Sequence, residues 1–317
     1  MSAPTVAKAT RLPKPAAKAG SRRVKASLLA MTLPFFALVV LFNYVPLVGW
    51  GIVFFDYFPG KSLLDHDPVG WKHFIRMATD ETFLRALRNT LVLSFLGLIV
   101  APAPMILALL LNEVKSLPFR KFVQTLTSFP NFISWIVVFY VFFSFFSVDD
   151  GLLNSLLLKL GWISQPTDIL ADSSAAWVFQ TLVGLWKGLG WGAIIYLAAL
   201  SGIDQELYEA ARVDGAGRFR EAVHISLPGM MPTFVVLFIL GIGNLLSGAG
   251  FEQIFTFMNP MVKDRLEIID TYVYVNGLQS LNFSYATAIG VARSIVSIAL
   301  LVSANYVSKL ATGRSIL

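Results

Sequence analysis

The sequence predicts an all-α polytopic membrane protein with six transmembrane helices and both termini in the cytoplasm. Three observations carry that prediction. First, 56% of the 317 residues are hydrophobic and only 14% are charged, at a mean hydropathy of +0.68. Soluble domains carry about 25% charged residues. Second, six apolar runs each reach the roughly 20 residues needed to cross a bilayer. Third, Lys and Arg alternate in density along the connecting segments. Fifteen fall on the side that holds both termini and eight on the other, and the richer side is the cytoplasmic one. There is no Cys, which excludes disulfides and thiolate metal sites. His66, His73 and His224 lack ligand spacing, so no metal site is expected. The net charge of +6 is spread over segment ends instead of forming one patch, so nucleic acid is not an expected partner.

In chain order, residues 1–25 are rich in Ala, Pro and Lys and read as a disordered, basic cytoplasmic tail. The apolar run behind it is too long for a signal-peptide core and no small-x-small cleavage site closes it, so it reads as an uncleaved span. The spans are expected at about 27–54, 89–111, 122–148, 174–200, 229–250 and 285–310. Pro34 and Pro46 should kink the first, Pro102 and Pro104 lie in the second, and Pro130-Asn131 interrupts the third. Residues 55–87 mix charges with Trp71, Phe74 and Phe83, which suits an outer interfacial segment. A second outer loop, 149–173, holds Leu152–Leu160 as a surface helix. A third covers 251–284.

Between the fourth and fifth spans the pattern changes to a short helical hairpin. Asp204 is a candidate N-cap with Glu206 in the first turn. Gln205–Val213 then forms one helix, and Asp214-Gly215 breaks it, because Gly adopts a left-handed φ without penalty. A second helix over 216–224 puts Phe219 and Val223 on one side, and Pro228 and Pro232 open the next span. Ala210, Ala211, Gly215 and Ala216 are small enough to let another body approach closely.

The run Glu209-Ala-Ala-x-x-Asp-Gly-Ala, followed by Ile225-x-Leu-Pro228 and Pro232, resembles the EAA loop of permease subunits in binding-protein-dependent ABC importers. That resemblance implies a type I importer permease (MetI-like) fold over 26–313, with a coupling loop at 204–228 that docks in a cleft of an ATPase. Glu209, Ala210, Ala211, Asp214, Gly215, Ala216, Arg218 and Phe219 are its candidate coupling residues. Phe83-x-x-Ala-Leu-x-Asn-Thr90, Tyr44–Trp50, Phe129–Trp135 and Asp150–Asn154 are similar to sugar-importer permeases of the oligo- and polysaccharide branch, which includes alginate importers. The implied partners are a second homologous permease, an ABC ATPase dimer, an extracytoplasmic solute-binding protein, a carbohydrate and the lipid membrane. The chain lacks a phosphate-binding G-x-x-x-x-G-K-[ST] loop, so no cofactor is expected on it and ATP would be held by the partner ATPase. A non-catalytic subunit follows.

Two cations fall inside spans, Lys187 and Arg293, at a cost of a few kcal/mol or more unless they face protein or water. Gln180, Gly184, Lys187 and Trp191 share one face of the fourth span, and Asn244 lies on the fifth. The functional reading places Lys187, Arg293, Gln180 and Asn244 on a substrate pathway, with Trp186 or Trp191 stacking on sugar rings. The alternative is that Lys187 snorkels or pairs with a partner carboxylate. Gly184, Gly188 and Gly192 form a small-xxx-small run that reads as helix packing. No Asp or Glu falls inside a predicted span, which disfavours an ion-coupled secondary sugar transporter. A membrane-bound transferase would need an acidic catalytic cluster, and the Asp149-Asp150 pair lies on the outer side without a supporting His.

Overall fold

The computed structural model describes residues 19–62, 65–247 and 250–312. Most of the basic tail and Arg314 lie outside the described residues. Helix α1 (Ala19–Val39) starts earlier than expected, so residues 19–25 are helical and not part of a disordered tail. It contains Pro34 and continues through a wide π-type turn at Val40–Tyr44 just before Pro46. A 3-10 turn, Gly49–Phe54, ends the run, and residues 29–54 are long and apolar enough to cross a membrane.

The rest of the described chain is a helical body of its own. Helix α2 (Lys72–Thr79) leads into α3 (Glu81–Val100), whose start is fixed by Asp80. The Asp80 carboxylate accepts from the amides of Thr82 and Phe83 at 3.0 and 3.1 Å, using donors that have no helical partner. Pro102 interrupts the ladder, and α4 (Ala103–Glu113) follows, so the second span covers 81–113 and begins eight residues before the expected one.

The third span is broken, not kinked. Helix α5 (Leu117–Ser128) tightens into a 3-10 turn at Phe129–Phe132, the backbone extends at Ile133 and Ser134, and α6 (Trp135–Phe146) leaves at 107° to the preceding segment. Helix α7 (Leu152–Lys159) forms where its apolar spacing predicts it. Asn154 is buried and donates to the carbonyls of Ser147 and Thr167 at 2.9 and 3.0 Å, which folds the loop back on itself. Helix α8 (Ala176–Ser201) is the fourth span. Among the described residues five helices qualify as membrane spans, and the bent α5–α6 pair makes a sixth.

Helices α9 (Gln205–Val213) and α10 (Arg218–Glu221) make the expected hairpin, but its second arm does not stop. A π-type turn at Ala222–Ser226 joins α10 to α11 (Leu227–Gly243), so the fifth span runs unbroken from Arg218. Proline has no N–H to give the ladder, and a wider turn immediately before Pro228 changes the hydrogen-bond register, with Leu227 N–H bonding to Ala222 O. Pro228 therefore lies within a continuous helix instead of opening a new one.

Residues 251–284 were expected to be an exposed outer loop. They instead contain α12 (Phe251–Phe257), α13 (Lys263–Leu266) and α14 (Ile269–Tyr274), with Ile254, Val262, Leu266, Ile268, Ile269 and Tyr272 buried. The module is pinned to α3 by polar side chains. Asn89, fully buried, donates to the carbonyls of Asp264 and Glu267 at 3.0 and 2.9 Å. Thr90 accepts from the Ile269 amide at 2.9 Å. Buried Glu267 meets Arg85 at 3.1 Å and Lys263 at 3.5 Å. Helix α15 (Phe283–Thr312) is the sixth span.

Candidate functional site

A cavity of about 570 Å³ lies between α3, α4, α8, α11 and α12. Its polar lining comes from Ser94, Gln180, Thr181, Tyr196, Asn244 and Gln253, and Trp135 contributes an aromatic wall. On α8 the lining follows steps of four: Gln180, Gly184, Gly188, Gly192 and Tyr196. Such a row is inclined to the helix axis, so the cavity winds around α8 instead of following the face that Gln180, Lys187 and Trp191 share. Gln180 and Gln253 lock the wall together, with Gln253 Nε2 donating to the backbone and side-chain oxygens of Gln180 at 2.7 and 2.9 Å.

Of the expected pathway residues, Gln180 and Asn244 line this cavity, and Lys187, Trp186, Trp191 and Arg293 do not. Lys187 is buried, and its ammonium donates to the carbonyls of Pro130, Asn131 and Ile133 at 3.1, 2.9 and 2.7 Å. All three of its protons are thus used at the break in the third span, with the Trp135 ring 5.2 Å away. Arg293 forms an ion pair with Asp270 and donates to Ser247 Oγ at 2.6 Å. Trp186 packs edge-on to Phe142 and Trp191 edge-on to Phe132, both away from the cavity.

The packing reading of the glycine run holds at two of its three positions. A Cβ on Gly188 would meet nothing within 4 Å, Gly184 faces the Gln253 amide, and Gly192 faces Pro104. The close backbone approach is at Gly190, where a Cβ would lie 2.3 Å from Thr127 C and 2.4 Å from Ser128 N.

The hairpin is the second feature. Asp204 caps α9 by accepting from Glu206 N at 3.0 Å. Gly215 has φ +78°, and the amides of Gly215 and Ala216 bond back to the carbonyls of Arg212 and Ala211, the paired arrangement that a left-handed glycine permits. Arg212 donates to both carboxylate oxygens of buried Glu221, at 3.0 and 3.4 Å, and the Tyr208 and Ser226 hydroxyls meet at 2.8 Å. These bonds fasten the two arms together. At the tip Glu209, Ala210, Asp214, Gly215, Arg218 and Phe219 are exposed, and Ala211 and Ala216 are half-buried. Val213 and Phe219 are 88% and 82% exposed, a large apolar area left uncovered among the described residues.

The family described as the inner membrane component of binding-protein-dependent transport systems matches residues 94–312, which take in the broken third span, the cavity wall and the hairpin. The chain belongs to this family. It is a multi-pass protein of the bacterial inner membrane, a permease with the MetI-like fold. It is 44% identical over 280 residues to the polygalacturonan/rhamnogalacturonan transport system permease protein YteP of Bacillus subtilis, covering 88% of this chain and 86% of the relative. The diacetylchitobiose uptake system permease protein NgcF of Streptomyces coelicolor is 28% identical, covering 98% and 92%. A chain of a bacterial alginate ABC transporter, solved in complex with an alginate pentasaccharide-bound periplasmic protein, superposes with a TM-score of 0.85 at 33% identity, covering 94% of this permease and 99% of that chain.

Proposed function

We propose that this permease supplies half of the transmembrane pathway of an ATP-driven importer for an acidic oligo- or polysaccharide. The hairpin carries the proposal: an internally bonded element presents Val213 and Phe219 with nothing among the described residues to cover them, and its second arm runs unbroken into the fifth span. An ATPase dimer would seat on Glu209, Ala210, Ala211, Asp214, Gly215, Ala216, Arg218 and Phe219 and hold the ATP, leaving this subunit non-catalytic. A second homologous permease and an extracytoplasmic binding protein complete the assembly, and both termini lie in the cytoplasm. ATP binding would draw the ATPases together and swing the hairpin, rocking the spans between inward- and outward-open states. The acidic substrate class is supported by YteP, a polygalacturonan/rhamnogalacturonan permease, and by the transporter of the acidic polysaccharide alginate. Within this subunit the neutral amide, hydroxyl and aromatic wall of the cavity between α3, α4, α8, α11 and α12 suits sugar hydroxyls and ring faces.

Phe219→Asp and Glu209→Lys test this reading in the purified importer. Both are expected to leave the permease folded and to lower uptake per ATP hydrolysed by about tenfold or more, as loss of an interface anchor does. Unchanged uptake in both variants, or uptake driven by an ion gradient without ATP, overturns it.

A further inference from the structure

A second polar cavity, about 610 Å³, lies where the hairpin meets the ends of α4, α5 and α8. Lys115, Arg120, Arg212 and Arg218 line it together with Glu113 and Glu221. Arg212 and Glu221 neutralise each other. Among the described residues Lys115, Arg120 and Arg218 have no ion-pair partner, so the cavity keeps an excess of positive charge beside a single unpaired carboxylate. The amides of Asn112 and Gln205 also line it. Cations left unpaired around one concavity, two of them planar guanidinium forks, make a receptor for an oxyanion, and phosphate fits such forks. The flank of the cavity identifies the source. Leu117, Phe119 and Phe122 are 58%, 56% and 62% exposed on the same helix as Arg120, which together with α6 is long and apolar enough to cross a membrane. Acyl chains would cover those side chains while a headgroup reached the cations.

We propose that this cavity binds a phosphate-bearing headgroup of an anionic phospholipid and that its occupancy sets the stance of the hairpin. The regulatory part rests on the importer reading above, whereas binding itself does not. Basic pockets between helix ends at a cytoplasmic membrane surface hold such headgroups through about 1 kcal/mol per cation, roughly a factor of five each.

The test uses the complete importer in nanodiscs, comparing wild type with Lys115→Gln/Arg120→Gln and with Lys159→Gln as a control for general charge loss. Native mass spectrometry reads phosphatidylglycerol retained by the detergent-released complex. Wild type and the control are expected to retain it, and the double variant to retain about tenfold less or lower still. ATPase stimulation by the loaded binding protein is then followed as phosphatidylglycerol replaces phosphatidylcholine. Wild type should respond to the anionic lipid and the double variant should not. Inorganic phosphate, titrated into phosphatidylcholine discs, forms a separate arm. If millimolar phosphate reproduces the response, the oxyanion site stands and the lipid source is overturned. Equal retention and equal lipid response in wild type and double variant overturn the site. If the wild-type chain captures no ATPase and shows no stimulation, the importer reading fails instead, and retention alone decides the site.

Discussion

Gly188 and Gly190 sit two residues apart on α8 and meet opposite demands. A side chain at 190 would enter the backbone of Thr127 and Ser128, and there is no flexible neighbour to move aside. Gly190→Val should therefore destabilise the fold by about 1–3 kcal/mol or more, as overpacking does, measured as a fall in the thermal unfolding midpoint of purified protein. Gly188→Leu, which points into open space, should leave that midpoint unchanged and obstruct the cavity, so that uptake falls while the protein accumulates normally. The sequence pattern singles out 184, 188 and 192 because repetition at four is visible in one dimension. The decisive glycine, by contrast, is set by where another segment crosses. Asp80 belongs to the same scale. Burial pushes its carboxyl upward, but the Tyr272 hydroxyl, the amides of Phe83 and Thr82 and the Tyr285 hydroxyl together hold it below the ordinary 3.8. A carboxylate favoured in this way stabilises the folded state fully at neutral pH, and the contribution disappears as pH falls through the folded-state value, below about 4. Asp80→Ala should cost about 1 kcal/mol for the lost cap alone, and Asn should recover most of it. The wild-type advantage over Ala should shrink when unfolding is measured in that acid range.

Among the elements, the broken third span depends on α8. At the 107° break Lys187 donates to the carbonyls of Pro130, Asn131 and Ile133, of which Pro130 O also accepts from the Ile133 amide. Lys187→Met would leave the half-buried Asn131 and Ile133 carbonyls without that donor, at up to about 1–3 kcal/mol each, whereas Pro130 O keeps the Ile133 amide. A markedly lower yield of folded protein in membranes is expected, with a lowered unfolding midpoint for what remains. Arg should rescue only in part, because its planar fork does not match three converging acceptors. Full stability in Lys187→Met would count against this role. A buried lysine in a span signals that something must compensate for it, and the sequence carries that signal. It does not reveal the compensating group when that group is backbone freed by a distant break. The hairpin was legible for the opposite reason. Cap, glycine stop and arm lengths are local, and α9 forms over the residues its capping pattern predicts. Its second arm runs on past Pro228, because a wider turn absorbs the proline that by local pattern opens a helix.

For the whole molecule, hydropathy located the spans, but the module over 251–282 was hidden. Its buried residues alternate with charges such as Glu267 that look solvated until Arg85 and Lys263 are seen around them. The Asn89-Thr90 pair gives that motif a physical reason: both residues, inside the second span, hold the module in place. Membrane orientation has a direct assay because the natural chain has no Cys. In intact cells, a membrane-impermeant maleimide should label Lys159→Cys and spare Phe219→Cys until the cells are opened. Labelling of Phe219→Cys from outside would reverse the topology and remove the hairpin from the ATPase. The unbroken passage from Arg218 to Gly243 has one more implication. At 1.5 Å per residue, its 26 residues form a rod of about 39 Å. Tilting that rod by about 10° about its hairpin end displaces the opposite tip by nearly 7 Å (simple trigonometry on that length). Under the proposed coupling, a small angular input at the hairpin would be geared up at the other end of the rod to a displacement about as wide as a sugar ring.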